Sequence, residues 1–102
     1  VKEKRFFNQE QRQSASHVCE MGDPLTPCVS PKLEADHATA YSKGGQTEID
    51  NLIMLCTVHH AVKHCMDEEP YAAQLVVNRM TEQEYEAYAT VMRGLSYPYP
   101  QR

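Results

Sequence analysis

No stretch of this chain approaches the roughly 18 consecutive apolar residues of a membrane-spanning helix. Its opening residues, VKEKRFFNQEQRQSASHVCE, contain no apolar signal-peptide core. A soluble, cytoplasmic protein with no membrane partner is therefore expected. No internal repeat or low-complexity linker divides the sequence, so its 102 residues are expected to form one domain. Nor is there an excess of positive charge. The net charge of −4 argues against a general polyanion binder. The charge is unevenly spread, however: acids gather in residues 67–86, whereas Lys2, Lys4, Arg5 and Arg12 make the start basic.

The chain does have four cysteines and five histidines. They could be read as two disulfides of a secreted mini-protein, but without an export signal metal ligation is the better reading. At this length an apolar core barely suffices alone, so a structural metal would contribute to folding.

Residues 7–16 read as a short polar helix with Asn8 as N-cap. Gly22, Asp23, Pro24 and Pro27 make the segment between Cys19 and Cys28 a loop. Residues 32–38 alternate weakly, as a strand does, and end in Asp36-His37. The link over 39–50 is polar, with a turn at Ser42-Lys43-Gly44-Gly45. Leu52-Ile53-Met54-Leu55 suits a strand buried on both faces. Residues 57–66 fit a helix on which His60 and His64 share a face at i and i+4.

Beyond them, Asp67-Glu68-Glu69-Pro70 looks like a helix start. Residues 71–80 are ambiguous, since Leu75-Val76-Val77 also suits a strand. Thr81-Glu82-Gln83-Glu84 is a capping-box pattern. Tyr85, Tyr88, Ala89 and Met92 form one stripe after it, with Gly94 as the natural stop. The tail over 96–102 is expected to be extended or frayed. The acids of 67–86 read most simply as a solvated face.

Asp36, His37, Asn51, His60 and His64 together carry a chemistry. A carboxylate and neutral imidazoles can hold one divalent ion with positions left open for phosphate and water. Neighbours on a strand point to opposite faces, so Asp36 can bind metal while His37 abstracts a proton, a role its ordinary pKa near 6.5 suits. Asn51 can bridge the long loop and orient His37. Taken singly, each has a plainer reading: a strand end for Asp36-His37, a turn residue for Asn51, surface histidines on the helix. Their joint order and spacing favour a site.

These residues, with Lys43-Gly44-Gly45, Asp50-Asn51-Leu52 and Cys56-Thr57-Val58-His59-His60, make residues 33–64 resemble the HNH endonucleases. The resemblance implies an α+β fold: a small ββα-metal (His-Me finger) core over 17–66, a preceding helix, and a C-terminal helical extension over 67–95. It implies that His37 is the general base, that Asp36 and His60 hold a magnesium- or manganese-type ion, and that Asn51 braces the loop. His64 falls where the related colicin nucleases place a further metal histidine. The implied activity is hydrolysis of DNA, double-stranded DNA foremost, leaving 3′-hydroxyl and 5′-phosphate ends. One such site cuts one strand, so a monomer would nick and a homodimer could break both. Phage and mobile elements use such domains.

Cys56-x2-His59 is a zinc half-site. Many HNH domains hold a structural zinc knuckle with two Cys-x2-Cys pairs. Here Cys19 stands in the first position without that partner, so Cys28 is expected to return to the ion, with His17 and Cys65 as substitutes. Helix neighbours diverge by about 100°, so one can face the zinc and the other the catalytic ion. In the HNH resemblance only His60 has the right distance from Asn51, which implies His59 for zinc and His60 for catalysis. Arg5, Arg12, Lys32, Lys43 and Lys63 are candidates for phosphate contacts, or equally solvated surface. The rival function is a zinc-stabilised nucleic-acid- or protein-binding module without hydrolysis.

Overall fold

Asn8 begins the first helix by a reciprocal cap: its Oδ1 accepts from the Gln11 backbone N–H at 2.8 Å, and the Gln11 side chain accepts from the Asn8 N–H at 2.9 Å. The computed structural model describes residues 6–15, 19–21 and 32–102. Its contacts gather into two compact units, Val1–Leu55 and Cys56–Arg102. In the first unit, α1 covers Gln9–Gln13, shorter than the expected 7–16. Phe7, just ahead of the cap, is buried.

Strand β1 (Leu33–His37) pairs with β2 (Leu52–Cys56) in a two-stranded sheet. The Ala38 N–H donates to the Asn51 carbonyl at 2.8 Å, so the end of β1 lies beside the start of β2 and the strands run antiparallel. β2 was expected to be buried on both faces throughout. Only Met54, Leu55 and Cys56 are buried, while Leu52 and Ile53 are half-buried. Met54 is tied to Glu20 by two bonds: its carbonyl accepts from the Glu20 N–H at 2.9 Å, and its own N–H donates to the Glu20 carboxylate at 2.5 Å.

The connection between the strands folds into two 3-10 turns, Tyr41–Lys43 and Ile49–Asn51. Gly44 closes the first at φ 90°, a conformation that favours glycine. Gly45 is needed for a different reason. A Cβ there would fall 1.8 Å from the Thr39 carbonyl oxygen.

In the second unit, α2 covers Thr57–Met66, as the periodicity predicts. It ends in a Schellman motif: the Glu69 N–H donates to His64 O at 2.8 Å and the Glu68 N–H to Cys65 O at 3.1 Å. Glu68 occupies the left-handed position, φ 59°, where glycine is usual. That conformation costs a non-glycine residue roughly 1 kcal/mol.

The ambiguous segment is a helix, α3 (Pro70–Asn78), with Pro70 in its first turn. Ala73, Val76, Val77 and Met80 are buried, a spacing of i, i+3, i+4 and i+7 that only a helix turns to one side. Helix α4 (Glu82–Leu95) starts from the anticipated capping box, Thr81 accepting from the Glu84 N–H at 3.1 Å and Glu84 from the Thr81 N–H at 2.8 Å. Both α3 and α4 pack on α2. Gly94 does not stop α4. It lies inside the helix, and Ser96 takes the left-handed position at φ 61°.

The tail is not frayed. The Tyr88 hydroxyl donates to Pro100 O at 2.9 Å, Tyr99 meets Tyr88 edge-on at 5.7 Å, and the Arg102 guanidinium lies 5.3 Å over the Tyr85 ring. Arg102 also donates to the carbonyls of Val77, in the last turn of α3, and of Met80, just beyond it. Cys65 is buried with its sulfur 3.6 Å from the Tyr88 hydroxyl, and burial pushes its thiol pKa up. In this unit it packs against α4 through that contact. Among the described residues, no helix is long and apolar enough to cross a membrane.

Candidate functional site

β1 delivers Asp36 and His37 as consecutive residues at its end, each only 8% exposed. The His37 ring lies 4.5 Å from the Phe7 ring and 5.5 Å from that of Tyr41. Its Nε2 is 3.0 Å from the Thr47 hydroxyl oxygen. When that oxygen accepts the Nε2 proton, Nδ1 carries the basic lone pair. Thr47 is a residue that sequence reasoning missed, because a hydroxyl in a polar loop looks like any other. Gln11 holds it from the backbone side, donating to Thr47 O at 3.1 Å.

Asn51 bridges the loop by hydrogen bonds. Its Oδ1 accepts from the Thr39 N–H at 2.8 Å, and its Nδ2 donates to Thr39 O at 3.0 Å and to Gln46 O at 2.9 Å. One amide thereby clips the loop at both ends. It bonds to the loop and not to His37, and the Gln46 carbonyl that it holds belongs to the residue before Thr47.

The second unit contributes two histidine arrangements on α2. At its start, Cys56 is the N-cap, its sulfur accepting from the His59 N–H at 3.4 Å and lying 3.2 Å from His59 Nδ1. Two ligands of one tetrahedral zinc, with bonds of about 2.3 and 2.0 Å, stand about 3.5 Å apart. The observed spacing is close to that. Burial lowers the His59 pKa, favouring the neutral imidazole that a metal requires.

One residue on, the helix turns His60 the other way. Its Nε2 is 3.0 Å from His64 Nε2, with the rings tilted 41° and centroids 4.7 Å apart. Two nitrogens bound at about 2.0–2.1 Å to one ion, 90–110° apart, would be separated by about 2.9–3.4 Å. The residues therefore fit a divalent cation. His64 is backed by Glu69, whose carboxylate oxygen is 3.2 Å from His64 Nδ1. Two sets of donors in the chain have the composition of metal centres: Cys19, Cys56 and His59, and Asp36, His60 and His64.

Of the other expected site residues, Cys28, His17 and Arg5 lie outside the described residues. Lys63 does not suit a surface phosphate contact. It is buried, and its ammonium is 2.8 Å from Asp67. The i, i+4 spacing that looked like a helix surface instead closes an ion pair. Arg12, Lys32 and Lys43 have exposed side chains.

Against known protein families, residues 17–65 match the one described as HNH endonuclease. No curated protein and no solved structure gave a match. Strand, strand and helix over Leu33–His37, Leu52–Cys56 and Thr57–Met66 are the ββα arrangement of that core. Over residues 17–65 the chain therefore carries an HNH endonuclease domain, a metal-binding nuclease core of the ββα-metal finger kind.

Proposed function

We propose that this chain hydrolyses phosphodiester bonds of double-stranded DNA, nicking one strand per encounter. Asp36, His60 and His64 hold a single magnesium- or manganese-type ion, and His37 is the general base. The ion, when bound, supplies positive charge to the scissile phosphate and its leaving oxygen. His37 accepts a proton from the attacking water at Nδ1 while Thr47 steadies Nε2. Asn51 fixes the loop that carries Thr47, and the Phe7 and Tyr41 rings limit the tilt of the imidazole. Cys19, Cys56 and His59 hold a separate, structural zinc. Arg12 and Lys43 are the exposed cations offered to the DNA backbone.

The observation that carries this reading is the pair of ring nitrogens 3.0 Å apart on α2, inside a domain matched to nucleases. Supercoiled plasmid is expected to relax to the nicked circle with manganese, to stay intact with a chelator, and to stay intact with His60→Ala. The net charge of −4 favours a second reading, a binding module on the same scaffold that does not cut. Gel-shift of the plasmid without nicking, at any manganese concentration, selects that module over the nuclease.

A further inference from the structure

The match to the nuclease family ends at residue 65. Glu69 lies beyond it, in the turn between α2 and α3, yet it grips His64 twice. Its backbone N–H donates to His64 O at 2.8 Å and its carboxylate reaches His64 Nδ1 at 3.2 Å. Glu69 is also the N-cap residue of α3, a position from which a side-chain oxygen can bond the first N–H groups of the helix. It makes no such capping bond. The carboxylate is turned back to the imidazole instead, and the two side chains are only 18% and 13% exposed, so solvent competes weakly for the bond. The left-handed Glu68 at φ 59° closes the turn immediately before Glu69.

We infer that Glu69 is a positioning residue for the metal centre: by accepting the Nδ1 proton of His64 it presents the His64 Nε2 lone pair, beside that of His60, to a divalent cation. The inference rests on the proposed reading of His64 as a ligand. A neutral imidazole carries one proton. With no acceptor at Nδ1, the proton is shared with Nε2, the nitrogen that must be bare to bind metal. A carboxylate behind the ring holds the useful tautomer and raises the basicity of the ligating nitrogen. A carboxylate that merely braced the turn would leave metal binding untouched.

The test uses the full chain and two readouts independent of cleavage. The first is the 15N chemical-shift pattern of the His64 ring in metal-free protein at about pH 8, where imidazoles are neutral. The second is manganese affinity by calorimetry. Wild type is expected to show the Nδ1-protonated tautomer. Glu69→Gln, whose amide oxygen still accepts, is expected to keep that tautomer and most of the affinity. Glu69→Ala is expected to mix the tautomers and weaken manganese binding by about 10–100-fold. In a His64→Ala background, Glu69→Ala is expected to cost nothing further, because its effect runs through that ring.

If His64→Ala weakens binding while Glu69→Ala binds as wild type does, the inference is overturned and the ligand role of His64 stands. Unchanged binding in His64→Ala overturns the ligand role itself, and the inference with it. Should Glu69→Ala fail to fold, Glu69→Asp keeps the charge but draws the carboxylate out of reach. Full affinity in that variant is equally contrary.

Discussion

His37→Ala is expected to lower the plasmid-nicking rate by about 10²–10⁴-fold, the usual contribution of a positioned general base, while manganese affinity stays within about twofold of wild type. The two readouts separate because His37 is assigned to the proton and not to the ion. Its ring is held by Phe7, Tyr41 and the Thr47 hydroxyl, none of which is a metal donor of either set. Removing a buried ring leaves space beneath Phe7, so a modest loss of thermal stability should accompany the change. His37→Gln fills more of that space and should melt closer to wild type, yet still not cut. Nicking that continues undiminished in either variant removes His37 from the base role.

Gly45→Ala should be far more damaging than Gly44→Ala, the other described glycine of the first unit. Its Cβ would meet the Thr39 carbonyl oxygen at 1.8 Å and the Ala40 carbonyl oxygen at 2.9 Å. Those atoms are backbone, so no side chain can swing aside. A penalty of about 3 kcal/mol is expected, or a fall in melting temperature on the order of 10–20 °C for a domain of this size. Gly44→Ala is the control. Nothing lies within 4 Å of its Cβ, and only the φ of 90° is unfavourable, so the cost should be about 1 kcal/mol. The displaced Thr39 backbone is also the partner of Asn51, so Gly45→Ala should slow cleavage beyond what unfolding explains. Circular-dichroism melts beside nicking rates at a temperature well below both transitions measure the two effects. Equal melting temperatures for the two glycine variants contradict the close-approach explanation.

Much of the scaffold was legible because the signals were local and of one kind. The caps at Asn8 and Thr81 need only a short polar side chain and a glutamine or glutamate three residues on. Helix α2 announced itself by the i, i+4 histidines that followed an apolar run. The loop brace at Asn51 could be read from its spacing to Asp36-His37, since an amide with three partners is a compact way to hold a dozen polar residues.

Other features were hidden for physical reasons. Leu75-Val76-Val77 has the β-branched character of a strand, but the burial of Ala73, Val76, Val77 and Met80 follows a helix, and that longer period outweighs local propensity. Glu69 sat in an acidic run that reads as solvated surface. Its meeting with His64 comes directly after a left-handed Glu68, and glutamate gives no warning of positive φ. Gly94 misled for the converse reason: glycine at a helix end usually marks the stop, and here Ser96 took that conformation. Lys63 was misplaced because its charge suggested solvent, whereas its stem is buried and its ammonium ends on Asp67. Tyr88, Tyr99 and Arg102 hold the tail down through contacts across the sequence that no local pattern announces.

Whether one cation is shared by Asp36, His60 and His64 is decided most directly by paramagnetic broadening with substoichiometric manganese, read at side-chain resonances of the 15N,13C-labelled protein. The Asp36 carboxyl carbon and the ring nitrogens of His60 and His64 are predicted to vanish together, at one stoichiometry and with one affinity, ahead of the His59 ring. Loss of the two histidine signals with the Asp36 carboxyl still sharp would contradict a common centre, and the proposed hydrolytic site would fall with it.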